Sequence, residues 1–246
     1  MEDRSPSGVI IEMANFTDPA QAASFNDWYE KTYIPKMVGT GALYSGIRFK
    51  NCAPNRPEYP RRVPEAMFTT IYETDWPDQR KAYDAIKRQW DQWKQSGQLH
   101  PALQVTFQTM FWRRPEPGQG HTSEKPINGI SLVMIRGDKD FTRWAEHTHI
   151  RYIAQGMPKG FTMITRYENA LSQTEGPLWL HLYELDSDDP DTDVRHMVDP
   201  VRKLLGDGTP AFKEWATHPS LEIWYVNTFK RVSPVGLIRP MQKPGY

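Results

Sequence analysis

Two histidines and a group of tyrosines are the side chains best suited to chemistry. His149 sits in the run Phe141-Thr142-Arg143-Trp144-Ala145-Glu146-His147-Thr148-His149-Ile150. An imidazole titrates near neutrality, so it can act as a general base or position an enol or phenol oxygen. At roughly 100° per residue, Phe141, Trp144, Ala145, Thr148 and Tyr152 share one helix face. His149 falls at the edge of that face and His147 points away from it. His181 sits in Leu178-Trp179-Leu180-His181-Leu182-Tyr183-Glu184-Leu185. Strand alternation puts Trp179, His181 and Tyr183 on one side and Leu178, Leu180, Leu182 and Glu184 on the other. His181 or His149 is the expected base. Tyr72, Tyr183 or Tyr33 is the expected donor to a developing oxyanion. Trp28, Trp144 and Trp179 are expected walls, with Tyr29 and Phe68 beside them.

Arg48 and Arg166 stand at matched strand ends and have the geometry to bind a carboxylate. Glu30 and Glu146 repeat with them, which favours internal ion pairs. His100, His121, His196 and His218 carry no pattern and read as surface residues. Cys52 has no recognisable catalytic partner spacing. No His-x-x-x-His, Cys-x-x-Cys or His-x-Glu spacing suggests a dedicated metal site. No glycine-rich phosphate loop follows a strand, and no cofactor is expected. Asp186 to Asp193 lacks the glycine and terminal glutamate of a calcium loop.

The elements that must hold these residues recur. Phe25-Asn26-Asp27-Trp28-Tyr29-Glu30-Lys31-Thr32-Tyr33-Ile34 matches the His149 run at Phe, Trp, Glu, Thr and Ile without a gap. Arg48-Phe49-Lys50-Asn51 corresponds to Arg166-Tyr167-Glu168-Asn169, and Tyr72-Glu73 to Tyr183-Glu184. A repeat of this period implies two similar halves. Each reads as β-α-β-β-α-β, the ferredoxin-like arrangement. The first spans 8–115 and the second 127–233. A proline- and glycine-rich linker fills 116–126, and a tail without periodicity, read as a coil or arm, fills 234–246. Asp18-Pro19, Trp76-Pro77-Asp78 and Asp138 mark helix starts.

The chain has 246 residues, with 30 Lys plus Arg against 30 Asp plus Glu. That balance gives no basic field for nucleic acid or anionic membrane. One cysteine among 246 residues points to a reducing, cytoplasmic setting. No apolar run approaches the roughly 20 residues needed to span a bilayer. Nine Trp, eleven Tyr and ten Phe suit a cavity for a flat, apolar ligand.

The pattern Phe-x-x-Trp-Tyr-x-x-x-(His or Tyr)-(Ile or Val)-Pro resembles the first-helix motif of the dimeric α/β-barrel superfamily, and within it the EthD-like proteins. Phe25, Trp28, Tyr29, Tyr33, Ile34 and Pro35 carry it in the first half. Phe141, Trp144, His149 and Ile150 carry it in the second, with Ala145 and Arg151 departing. The resemblance implies an α+β fold of two tandem ferredoxin-like repeats closed into one barrel, a dimer fused in a single chain. The Trp179-His181-Tyr183 face is then expected to look into the barrel lumen, with Phe68, Thr70 and Tyr72 as its first-half match. His149 is expected in the sheet–helix layer instead.

Similar fungal proteins accompany polyketide pathways. The function expected is therefore a cofactor-independent lyase or isomerase, of cyclase or decarboxylase type, acting on an aromatic or polyketide-like molecule in secondary metabolism. Two alternatives stand beside it: a haem-dependent or cofactor-free oxygenase of the same superfamily, and a non-catalytic binding protein. Either a monomeric pseudo-dimer or a homodimer is compatible with an internal barrel.

Overall fold

The computed structural model describes all residues except 1–3, 54–57, 60, 116–118, 121–126, 172–173, 234–236 and 239–246. His121, most of the 116–126 linker and most of the tail lie outside the described residues.

The first half runs β1 (Gly8–Phe16), α1 (Ala22–Trp28), a π turn (Tyr29–Tyr33), α2 (Ile34–Val38), β2 (Ser45–Asn51), β3 (Phe68–Thr74), α3 (Gln79–Gln95) and β4 (Leu103–Arg113). After a two-residue strand, β5 (Gln119–Gly120), the second half repeats the order. It runs β6 (Gly129–Arg136), α4 (Lys139–Trp144), a π turn (Ala145–Ile150), α5 (Arg151–Gly156), β7 (Phe161–Asn169) and β8 (Trp179–Leu185). Three short helices follow, α6 (Pro190–Arg195), α7 (Val198–Leu205) and α8 (Pro210–Ala216), then β9 (Glu222–Arg231) and β10 (Leu237–Ile238). The expected tail is thus not wholly coil, since Leu237 and Ile238 pair with Gly46 and Ser45.

Local chemistry sets these boundaries. The Asp78 and Asp138 side chains accept from the main-chain N–H groups of Lys81 and Phe141, capping α3 and α4. Gly206 and Gly208, at φ of 83° and 70°, break the helical run between α7 and α8.

All main pairings are antiparallel, in the order β2-β3-β1-β4-β7-β8-β6-β9. Short ladders from β4 to β7 and from β9 back to β2 join the halves and close the sheet. Each half therefore contributes its strands in the same internal order. Closure removes the sheet edges that an open sheet would present.

Both sides of the sheet are covered. Val9, Ile11 and Met13 point to one side of β1 and join a single apolar cluster with Ile47, Phe49, Leu132, Leu180, Leu182 and Phe229. That cluster draws on both halves and fills the lumen. Full burial of such side chains contributes roughly 1.5–3 kcal/mol each. Ile10, Glu12 and Ala14 point the other way, beneath the helices.

This arrangement corrects the expected facing of β8. Leu180 and Leu182 fill the lumen, while Trp179 and Tyr183 join the helix-side clusters. His181 faces the same way, stacked on Phe141 of α4 at 6.3 Å. The alternation holds, but the sides are exchanged. The lumen enclosed by the sheet is filled by aliphatic and aromatic side chains. On the helix side His181 meets the Arg166 guanidinium and the Phe141 ring.

Candidate functional site

A cavity of about 280 Å³ lies between the sheet and helices of the second half. Val133, Ile135, His181, Tyr183, Ile223 and Val226 form its sheet side, and Trp144, His149, Met197, Val198, Phe212 and Trp215 its helix side. A second void of about 310 Å³ adjoins it, sharing Tyr59, Val133, Tyr183, Met197, Val198 and Val226. His149 and His181, expected in different places, therefore share one cavity.

The π turn brings His149 there. It widens the helix by one residue per turn and carries the ring from the predicted edge toward the sheet. The imidazole lies parallel to the Trp215 ring at 5.3 Å and 5.0 Å from Trp144. Its Nδ1 is 3.0 Å from the Trp215 carbonyl, and Trp215 Nε1 donates back to the His149 carbonyl at 3.0 Å. The carbonyl places the ring proton on Nδ1, so the Nε2 lone pair is available. Nε2 makes no hydrogen bond among the described residues. Burial, only partly offset by the carbonyl bond, holds this imidazole below its usual 6.5. It is a neutral base facing an apolar space.

His181 is held differently. Arg166 Nε donates to His181 Nε2 at 3.2 Å. Burial and then the Arg166 charge push His181 well below the ordinary histidine value. Arg166 also pairs with Glu146 and packs 5.1 Å from the Trp179 ring centre. The repeated charge pair is thus made within its own half. Trp179 and Arg166 stand behind the cavity, while His149, His181, Tyr183 and Trp144 line it. Burial raises Tyr183 above the ordinary phenol range, so it stays protonated.

The remaining predicted residues gather in the first half, where the equivalent space is filled. Tyr29 Oη donates to Glu12 Oε1 at 2.6 Å, Tyr33 Oη to Oε2 at 2.9 Å, and Gln108 Nε2 to Oε2 at 2.7 Å. Trp90 Nε1 donates to Tyr33 Oη at 2.9 Å, and Trp28 stacks on Tyr33 at 5.1 Å. Arg48 lies 3.8 Å from the Phe68 ring centre and 4.3 Å from that of Tyr29, and donates to Asn26 at 2.8 Å. Tyr72 is fully buried beside them. Desolvation raises the Glu12 carboxyl above 4.5 despite three hydrogen bonds and the Arg48 charge. Sequence reasoning passed over Glu12, Gln108, Trp90 and Trp215. A charge amid Val9, Ile10, Ile11 and Met13 was the available signal for Glu12.

Among the described residues no helix is long and apolar enough to cross a membrane. None of the described His, Cys, Asp and Glu side chains form a group of three that could hold a metal ion.

No protein-family model matches the chain, and no curated protein matches it. Solved structures do. A chlorite dismutase mutant from Candidatus Nitrospira defluvii, in complex with cyanide, aligns at TM-score 0.58 and 8% identity over 94% of this chain and 93% of its own. A DypB variant from Rhodococcus jostii RHA1, in complex with haem, aligns at 0.58 and 9% over 94% of each chain. A monooxygenase from Fusobacterium nucleatum, so named provisionally, aligns at 0.50 and 8% over 97% of this chain and 98% of its own.

The fold is that of the dimeric α+β barrels. At these identities the likeness shows the fold alone, and it does not reach the EthD-like branch. It also corrects the expected reaction. These neighbours carry the names of a dismutase, a haem-bound DypB and a monooxygenase, and the cofactor-independent lyase or isomerase reading finds no support among them.

Proposed function

We propose that the chain is an oxidoreductase of the oxygenase class, with its site in the second-half cavity, and that His149 is the residue that would hold a haem iron. The observation that carries this is the state of the His149 ring. Nδ1 is pinned to the Trp215 carbonyl, Nε2 keeps its lone pair, and the ring lines the cavity. Ligating imidazoles are oriented in this way, by a hydrogen bond from the other ring nitrogen to a carbonyl or carboxylate. The donor chemistry therefore fits. A tetrapyrrole is larger than the void beside His149, and its fit draws on the adjoining void as well.

When bound, haem supplies the oxygen or peroxide chemistry. The chain's own part is to keep His149 neutral, to hold its ring between Trp144 and Trp215, and to exclude bulk water with Val133, Val226 and Phe212. We also read the halves as tandem ferredoxin-like repeats, supported by their matching strand order and motif. The substrate is then a small molecule entering beside His181 and Tyr183.

The size of the void favours a second reading, a cofactor-free oxygenase. About 280 Å³ is near the low end of ligand pockets and suits a molecule of two or three rings. His149 would then deprotonate an aromatic substrate that reacts directly with dioxygen.

Titration of the purified protein with haemin tests the first reading. A Soret band that stays with the protein and is lost in His149→Ala supports it. No band, together with His149-dependent oxygen uptake on flat phenolic compounds, moves the assignment to the second. Absence of both rejects the oxygenase class.

A further inference from the structure

Arg166 and His181 stand opposite each other on β7 and β8. The guanidinium Nε lies 3.2 Å from the imidazole Nε2. A guanidinium has only donors and does not lose its proton in proteins. Nε2 must therefore offer a lone pair. A neutral imidazole with its lone pair at Nε2 carries its hydrogen on Nδ1.

Arg166 has little freedom to release this contact. It also donates to the Thr142 carbonyl at 3.4 Å, pairs with Glu146 and rests against Trp179. Nδ1 of His181 has no protein partner among the described residues, and His181 lines the cavity. No Lys, Arg, Asp or Glu lines the main void, so a charged ligand would be buried there without a counter-charge. His149 presents a lone pair to the same space. Beside the Tyr59 and Tyr183 hydroxyls, the two imidazoles thus give the cavity one ring acceptor and one ring donor, all of them uncharged.

We infer that Arg166 fixes His181 as the Nδ1–H tautomer and that His181 donates this hydrogen to a ligand in the cavity. The site then selects flat, apolar, uncharged molecules bearing a carbonyl oxygen over hydrocarbons of the same shape. Arg166 is a positioning residue, acting through His181. The inference rests on the reading that this cavity is the ligand site.

Two measurements on the purified chain test it. Two-bond ¹H–¹⁵N spectra at pH 7 report which nitrogen of His181 carries the hydrogen. Tryptophan fluorescence gives the affinities of 9-fluorenone and fluorene, which differ by one carbonyl. The expected result is the Nδ1–H tautomer, with 9-fluorenone bound about five- to tenfold more tightly. In His181→Phe the ratio falls to about one while fluorene affinity holds. In Arg166→Met the tautomers mix, which a purely structural arginine would not cause. Should that variant not fold, the wild-type spectrum still decides the tautomer. An Nε2–H or doubly protonated ring overturns the inference whatever binds. An Nδ1–H ring with equal affinities overturns the donor role and leaves the cavity reading standing. Binding of neither probe overturns the inference through the cavity reading itself.

Discussion

The two halves of the barrel share a strand order, a helix motif and a π turn, yet among the described residues Tyr29, Tyr33 and Arg48 fill the space beneath the first pair of helices that is a cavity in the second half. Register shows which residues make the difference. Glu12 pairs across the sheet with Thr70 and Gln108, and Val133 pairs with His181 and Val226. Where the first half has Glu12, Gln108 and Tyr29, the second has Val133, Val226 and Ala145. Where Tyr33 bonds Glu12 and Trp90, His149 stacks on Trp215. Val133 and Val226 line the void where Glu12 and Gln108 stand in the first half, and two exchanges to histidine, Tyr33 to His149 and Thr70 to His181, give it chemistry. A buried carboxylate is tolerated only when its oxygens are bonded, so the first-half network holds as a unit. The strand order is common to both halves, and side-chain volume decides which of them has room for a ligand.

The comparison breaks most sharply at Tyr29. Tyr29→Ala gives the first half the residue that the second carries at Ala145. It opens a void in a packed region and removes a donor from Glu12. The expected loss is about 4 kcal/mol, the level of large aromatic truncations in cores, read by urea unfolding. A loss under about 1 kcal/mol would mean that the first-half packing is not rigid.

The converse exchange, Ala145→Tyr, sharpens it. The ring enters the void along the path Tyr29 takes to Glu12. Ala145 itself lies behind the cavity lining, so the ring must pass Val133 and His181 to reach the void, and a stability loss of about 1–3 kcal/mol is expected. Affinity for haemin or 9-fluorenone is expected to fall about a hundredfold, equivalent to about 2.7 kcal/mol. Unchanged affinity in a folded variant would place the ligand elsewhere.

Much of this scaffold is legible in the sequence. The Phe25 and Phe141 runs mark the helix that follows the first strand of each half, and alternation in Trp179–Leu185 sorts its side chains correctly into two sets. Alternation fixes parity but not side. Both sets on β8 are large and buried, so nothing local tells lumen from helix layer. The exchange of Tyr29 for Ala145 is visible within the repeated run. Its meaning depends on Glu12 facing Tyr29 and Val133 facing Ala145, a relation that exists only once strands pair in register. Helical periodicity of 3.6 residues also misplaces His149 slightly, because a π turn leaves no clear mark in composition.

The smallest expected effect tests whether the halves differ in charge chemistry as they do in volume. In the first half, burial raises the Glu12 carboxyl above its unfolded value of 4.5. The folded state then holds that proton more tightly than the unfolded chain does. Its contribution is full below pH 4.5 and is lost as pH rises through the raised value. In the second half, burial lowers His149 below 6.5, so the unfolded chain binds the proton better. That contribution is full above pH 6.5 and is lost as pH falls through the lowered value, with His181 adding a further decline at still lower pH. The slopes are opposite, and each has its own eraser. Urea unfolding across pH 4 to 8 should show Glu12→Gln flattening the decline toward high pH and His149→Gln flattening the decline toward low pH. If His149→Gln leaves the acid limb unchanged, His149 binds protons equally in the folded and the unfolded chain. The buried neutral ring that the site requires would then have to be sought elsewhere in the cavity.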